Sequence, residues 1–246
     1  MNLTPITSSL RLLGRETARI VLAASCIVCQ ENLSWTSRRG SCCERCWLEL
    51  PAITGTKCRR CSTPFQFTGE RELATCIPCS ASSHACAWID AWGEYRGSLE
   101  RVLHAFKFDR HDFLSTPLST LLVERLRARG DAFDVVVPVP MHGKKRRKRG
   151  YNQAELLAKG VVRLTGLEYD AKLLVKREER RTQSTLPREE RKANVRDLFT
   201  ASERAAGKSV LLVDDISTTG ETLEACAIAL VKGGAARVCA VVVAKA

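Results

Sequence analysis

Two adjacent carboxylates, Asp214 and Asp215, end the apolar run Val210-Leu-Leu-Val213 and lead directly into Ile216 and Ser217-Thr-Thr-Gly-Glu-Thr222. Acids followed by hydroxyls and a glycine, at a strand end, suit a phosphate ester of a sugar. Backbone N–H groups of the turn and of the helix it opens can point at the phosphate, Gly220 lets the backbone approach closely, and the Ser and Thr hydroxyls add donors. The paired carboxylates then face adjacent sugar hydroxyls. The plainer alternative is that Asp214 and Asp215 only terminate a strand and that Thr218 or Thr219 caps the next helix. One acid would fit that alternative. Two carboxylates at the end of a buried strand, in a chain of net charge +12, are costly unless something pairs with them.

A second chemistry lies upstream. Cys26/Cys29, Cys43/Cys46, Cys58/Cys61 and Cys76/Cys79 form four successive Cys-x-x-Cys pairs. Each pair can make a tight knuckle, and two knuckles complete a tetrahedral four-thiolate shell, which is the pattern of two structural zinc ribbons. Disulfides in an exported protein are the alternative, and four pairs at two-residue spacing fit metal better. The simplest pairing is sequential: Cys26, Cys29, Cys43 and Cys46 on one ion, and Cys58, Cys61, Cys76 and Cys79 on the other. Interleaving stays open. Cys42 could compete with Cys43, whereas Cys86, Cys226 and Cys239 read as small core residues. So little apolar content implies that residues 26–80 depend on metal to fold.

These groups need elements to position them. Beyond residue 87 the apolar runs Val135–Val139, Lys172–Val175, Ser209–Val213 and Arg237–Val243 alternate with helical stretches such as Asn152–Leu164 and Thr219–Lys232. The runs are continuous and rich in β-branched residues, as in a parallel sheet covered on both faces. Ligands of such α/β sheets bind beyond the carboxyl ends of the strands. The chain therefore divides into an N-terminal segment 1–25, a cysteine module 26–86 and an α/β domain 87–246. Residues 1–25 are broken by Arg11, Glu16 and Arg19, too polar for an export signal or a membrane anchor, which points to a cytoplasmic protein.

The stretch Val210–Thr222 resembles the phosphoribosyl pyrophosphate signature of type I phosphoribosyltransferases. Val137-Pro-Val-Pro-Met-His142, Arg149-Gly-Tyr-Asn-Gln-Ala-Glu-Leu-Leu-Ala158, Tyr95-Arg-Gly97, Phe106-Lys107, Gln183-Ser-Thr-Leu186, Arg191–Phe199 and the cysteine module together resemble the ComF/GntX competence-protein family over residues 26–246. The resemblance implies a type I phosphoribosyltransferase domain preceded by a double zinc ribbon. It implies that Asp214 and Asp215 bind the ribose hydroxyls, directly or through magnesium. Ser217, Thr218, Thr219, Gly220, Glu221 and Thr222 hold the 5′-phosphate, and Lys107, Arg149, Asn152 and Gln183 lie on the pyrophosphate side. The chain departs from the family in carrying Arg180 where a threonine often precedes the glutamine by three residues. Competence proteins also imply DNA uptake, with single-stranded DNA and other uptake proteins as partners.

Lys144–Arg149 is six cations in a row, read as a loop meeting pyrophosphate, a solvated surface or a nucleic-acid backbone contact. Residues 176–192 are too polar for a strand and suit a flap or an exposed hairpin. Tyr95, Phe106, Phe108 and Tyr151 could stack bases, and most are expected to fill the core. Two functions follow: a magnesium-dependent phosphoribosyltransferase of unidentified acceptor, or a single-stranded-DNA-binding protein that keeps the phosphoribosyl site as a sensor or relic.

Overall fold

The computed structural model describes residues 25–33, 41–65, 75–109, 111–177 and 198–246. Residues 1–24, Gln183 and nearly all of the expected flap lie outside these residues. Five strands form one parallel sheet in the order β1-β7-β6-β2-β3: β1 (Ile89–Glu94), β2 (Val135–Pro138), β3 (Glu168–Tyr169), β6 (Ser209–Ser217) and β7 (Arg237–Lys245). The expected strand at 172–175 behaves differently. Leu174–Lys176 (β4) leaves the main sheet and pairs antiparallel with Phe199–Ala201 (β5). Its Leu173 and Leu174 still bury against the sheet, so an apolar run here marks burial rather than membership of the parallel ladder.

The central strand β6 sits between β2 and β7, and Val210–Val213 are buried because both faces are covered. Alternate residues go to opposite sides. Leu211, Val213, Val136, Val241 and Val243 face the helices α3 (Gly97–Phe108), α4 (Ser115–Arg129) and α6 (Gln153–Thr165), whose Phe106, Leu122 and Leu157 fill that side. Val210, Leu212, Val135, Val137 and Val242 face α7 (Glu221–Lys232) through Leu223, Cys226 and Leu230. The α4/α6 crossing is close because Gly160 has no side chain: a Cβ there would sit 2.0 Å from Ser119 Oγ. That hydroxyl already bonds the Ser115 carbonyl at 2.6 Å and the Leu157 carbonyl at 3.2 Å.

The cysteine module has two similar halves. Each opens on a knuckle whose fifth residue adopts a left-handed backbone, Gln30 (φ 64°) and Ser62 (φ 59°), and closes on a short helix, α1 (Glu44–Leu48) or α2 (Ile77–Ser80), that begins just after a cysteine. The first half contributes Cys26, Cys42, Cys46, Trp47 and Leu50 to the α3/α4 core. Cys42 is wholly buried there, and desolvation pushes its thiol up to about 12. The second half is tied to β1 and α7. Glu224 in the first turn of α7 accepts from the Cys86 N–H at 3.3 Å and from the Ala85 N–H, and pairs with Arg60 at 3.8 Å. Among the described residues no helix is long and apolar enough to cross a membrane.

Candidate functional site

Asp214 and Asp215 lie at the carboxyl end of β6, the middle strand of the sheet, the end beyond which ligands of such α/β sheets generally bind. The pleat sends them to opposite faces. Asp215 turns toward α3, and Lys107 Nζ lies 3.2 Å from its Oδ2. Asp214 turns toward α7, where burial and then Asp214 itself drive the Cys226 thiol well above its ordinary range. The Asp215 N–H donates to Asp214 Oδ1 at 2.8 Å. Burial, and next the Asp215 charge, push the Asp214 carboxyl up to about 8. Burial raises Asp215 as well, opposed by Lys107 and more weakly by Arg149. Two adjacent carboxyls raised by burial at a strand end are candidates for pairing with a positive or hydrogen-bond-donating group.

The loop after the strand has the features the residues suggested. Gly220 takes φ 83°, and a Cβ there would come 3.0 Å from Ile89 Cδ1, so only glycine allows this turn without strain. Thr218, Thr219, Glu221 and Thr222 are exposed, Ser217 is buried at the strand end, and Thr219 Oγ1 accepts from the Glu221 N–H at 3.3 Å. Lys245 Nζ, one strand over, donates to the Thr218 carbonyl and fixes the loop from the side. The loop thus delivers exposed hydroxyls and the first N–H groups of α7 next to the carboxylates.

The Arg149–Gln153 motif is a clamp for this arrangement. Tyr151 donates its hydroxyl to the Phe106 carbonyl at 2.6 Å, and Gln153 Nε2 donates to the Lys107 carbonyl at 3.3 Å, which seats the end of α3 and with it Lys107. Asn152 uses its side chain twice: Oδ1 caps α6 at the Ala154 N–H, 3.2 Å away, and Nδ2 donates to the Val139 carbonyl at 3.1 Å. Arg149 donates to Gln153 Oε1 at 3.3 Å and lies over the Phe108 ring, 4.9 Å from its centroid. Gln153 was missed as a positioning residue, although its place in the motif was the available signal.

One sequence expectation changes at this site. Residues 144–149 form not a loop but the short helix α5 (Gly143–Arg149), capped by His142 Nδ1 at the Lys144 N–H, with no residue buried. Of the aromatic residues weighed for base stacking, Phe106 is buried, whereas Phe108 is 56% exposed beside that helix.

The cysteines gather as two groups, Cys26/Cys29/Cys43/Cys46 and Cys58/Cys61/Cys76/Cys79, with all sulfurs of a group within 4.8 Å of one another. Cys29 and Cys43 Sγ are 3.8 Å apart and Cys61 and Cys76 Sγ 3.6 Å apart. Zinc–sulfur bonds of about 2.3 Å in a tetrahedron put sulfurs about 3.8 Å apart, so the spacing fits zinc and not disulfides. Burial opposes ionisation of Cys26, but backbone N–H groups of Cys29, Cys43 and Val28 outweigh it and bring the thiol down to about 6. These are structural zinc sites, with every ligand position filled by the chain.

The phosphoribosyl transferase domain model matches residues 118–246, and the double zinc ribbon model residues 17–86. The Escherichia coli (strain K12) DNA utilization protein YhgH is 31% identical over 150 residues, 59% of this chain and 66% of that protein, so the match spans just under two thirds of that relative. Competence protein ComFC of Streptococcus pneumoniae is 30% identical over 178 residues, 68% of this chain and 77% of that protein. The Bacillus subtilis glutamine phosphoribosylpyrophosphate amidotransferase aligns over 52% of this chain and 26% of its own, with TM-score 0.39 and 24% identity. With a phosphoribosyl transferase domain over half of its length, a double zinc ribbon before it and these relatives, the chain belongs to the phosphoribosyl transferase domain family and, within it, to the ComF/GntX group.

Proposed function

We propose that the protein binds phosphoribosyl pyrophosphate with magnesium at the carboxyl end of β6 and transfers the phosphoribosyl group to an acceptor. The observation that carries this reading is the Asp214–Asp215 pair, two adjacent carboxyls both raised by burial, running directly into the Gly220 turn and the start of α7. Asp214 and Asp215 accept from the ribose hydroxyls, and the Ser217–Thr222 segment donates backbone and hydroxyl hydrogens to the 5′-phosphate. The carboxylates are hard oxygen ligands suited to magnesium, which, when bound, supplies positive charge to the leaving pyrophosphate. Lys107 and Arg149 lie on the side of Asp215 where that charge develops, the first held by Gln153 and the second by Gln153 and Phe108.

Calorimetry of phosphoribosyl pyrophosphate with and without magnesium tests the binding. Wild-type protein should give magnesium-dependent heat and the double variant Asp214→Asn, Asp215→Asn none. Equal binding by the two proteins refutes the assignment. Pyrophosphate release in a screen of bases, amines and oligonucleotides tests transfer.

A second activity is favoured by one surface. The six cations of 144–149 are unburied, and Phe108 stands exposed beside them with Arg149 against its face. A single strand could lay its phosphates on α5 and stack a base on Phe108. The names of the relatives, a competence protein and a DNA utilization protein, support DNA uptake as the setting. Single-strand affinity should weaken with salt, and neutralising 144–149 should flatten that slope; an affinity indifferent to both sinks this reading.

A further inference from the structure

A second concentration of charge lies on the far face of the sheet from the Gly220 loop. In β1, successive residues point oppositely: Ile89 belongs to the α7-side core against Gly220, whereas Asp90 turns toward α4. Asp90 is 1% exposed and is met by Lys57 Nζ at 2.6 Å, Arg129 Nε at 2.8 Å, Ser62 Oγ at 2.9 Å and Arg125 Nη2 at 3.4 Å. Lys57, Arg59, Asp90, Arg125, Ala128 and Arg129 line a cleft of about 500 Å³ between the second ribbon, the edge of the sheet and the last turns of α4.

Three cations therefore meet one carboxylate, and a fourth, Arg59, lines the same cleft. A staple between ribbon and sheet needs one cation for one acid, and the surplus charges repel one another in a half-buried setting. Arg129 is spoken for: its guanidinium lies 4.4 Å from the Trp88 ring centroid and Nη2 donates to the Arg59 carbonyl at 2.8 Å. Arg125 is not, since both its contacts to Asp90 are 3.4 Å long and its Nε is buried without a hydrogen-bond partner. The nearby acid Asp131 offers no relief, being bound to Trp88 Nε1 at 3.1 Å and Arg237 at 2.9 Å.

We propose that this cleft binds a phosphate group, with Arg125 and Arg59 as donors, and with Lys57 and Arg129 oriented from beneath by Asp90. Guanidinium groups suit phosphate oxygens in charge and in planar two-point geometry. The phosphate belongs either to a small free anion or to the backbone of a single-stranded nucleic acid, which share this chemistry.

Equilibrium dialysis of radiolabelled inorganic phosphate against the full, zinc-loaded chain tests the site. Thr219→Glu blocks the β6 loop, and Arg59→Glu reverses an exposed cation that makes no side-chain contact with Asp90, so the buried cluster should survive it. Thr219→Glu should retain phosphate binding that Arg59→Glu weakens by about tenfold or more, and Arg125→Gln should reproduce the loss with unchanged zinc content. Phosphate binding that is undiminished in both arginine variants, or lost only in Thr219→Glu, overturns the proposal; the second result leaves the β6 reading intact. A labelled oligothymidylate separates the sources. Weaker oligonucleotide binding by Arg59→Glu, relieved in wild type by competing phosphate, assigns the backbone; unchanged oligonucleotide binding with lost phosphate assigns a free anion.

Discussion

Replacing Asp214 by Asn should stabilise the ligand-free protein and disable its ligand site. Burial and the neighbouring Asp215 raise the Asp214 carboxyl from 3.8 to about 8, so the folded state holds a proton that the unfolded chain has released. A carboxyl raised in this way contributes stability at low pH and loses it as pH rises toward its folded value. The loss runs at up to about 1.4 kcal/mol per pH unit between the two pKa values. Over the span to pH 7 this reaches about 4 kcal/mol as an upper figure, and about 2 kcal/mol if the coupled pair relaxes half of it. Asn keeps the Oδ1 that accepts from the Asp215 N–H and carries no charge to desolvate. Urea unfolding of both proteins at pH 6, 7, 8 and 9, zinc-loaded and without magnesium, measures the difference, in which titrating groups remote from the Asp214–Asp215 pair cancel. The variant's advantage should grow from pH 6 to 8 and level off above 8, while its affinity for phosphoribosyl pyrophosphate falls at least tenfold. A pH-independent difference, or an Asn variant less stable than wild type at pH 8, would refute the assignment of Asp214 as a strained, ligand-awaiting carboxylate.

Gly160→Ala puts a Cβ 2.0 Å from Ser119 Oγ at the α4/α6 crossing and should lower stability by about 1–3 kcal/mol in thermal unfolding. Gly220→Ala meets the left-handed penalty of about 1–2 kcal/mol and the Ile89 side chain together; calorimetry should show weakened phosphoribosyl pyrophosphate binding with zinc content unchanged. Chelation should release two zinc ions per chain and make the eight clustered thiols reactive; hydrogen exchange should then rise across 41–65 while β6 and β7 stay protected. Protection lost equally in β6 would show instead that Trp47 and Leu50, which the first ribbon contributes to the α3/α4 core, hold the whole domain.

The strands that run through the middle of the sheet were legible because both of their faces are buried and their apolar runs are unbroken. β1 was not, since Asp90 and Gly93 interrupt it; Asp90 is tolerated in a strand only because Lys57, Ser62, Arg125 and Arg129 arrive from distant parts of the chain. The run at 172–175 looked like another parallel strand because composition reports burial, and only the fold decides which backbone it pairs with.

The same division holds for the site. Asp214, Asp215 and the Ser217–Thr222 loop are contiguous, so their joint chemistry is written in local order, as is the two-residue spacing of the cysteines. Local order could also name the Arg149–Gln153 segment as part of the machinery. What it could not say is that this segment acts on α3, seating Lys107 against Asp215 across more than forty residues of chain, or that Lys144–Arg149 winds into an exposed helix beside a partly exposed Phe108. Charge pairing and burial depend on which surfaces the folded chain brings face to face, and it is burial first, with the adjacent Asp215 charge second, that raises the Asp214 carboxyl.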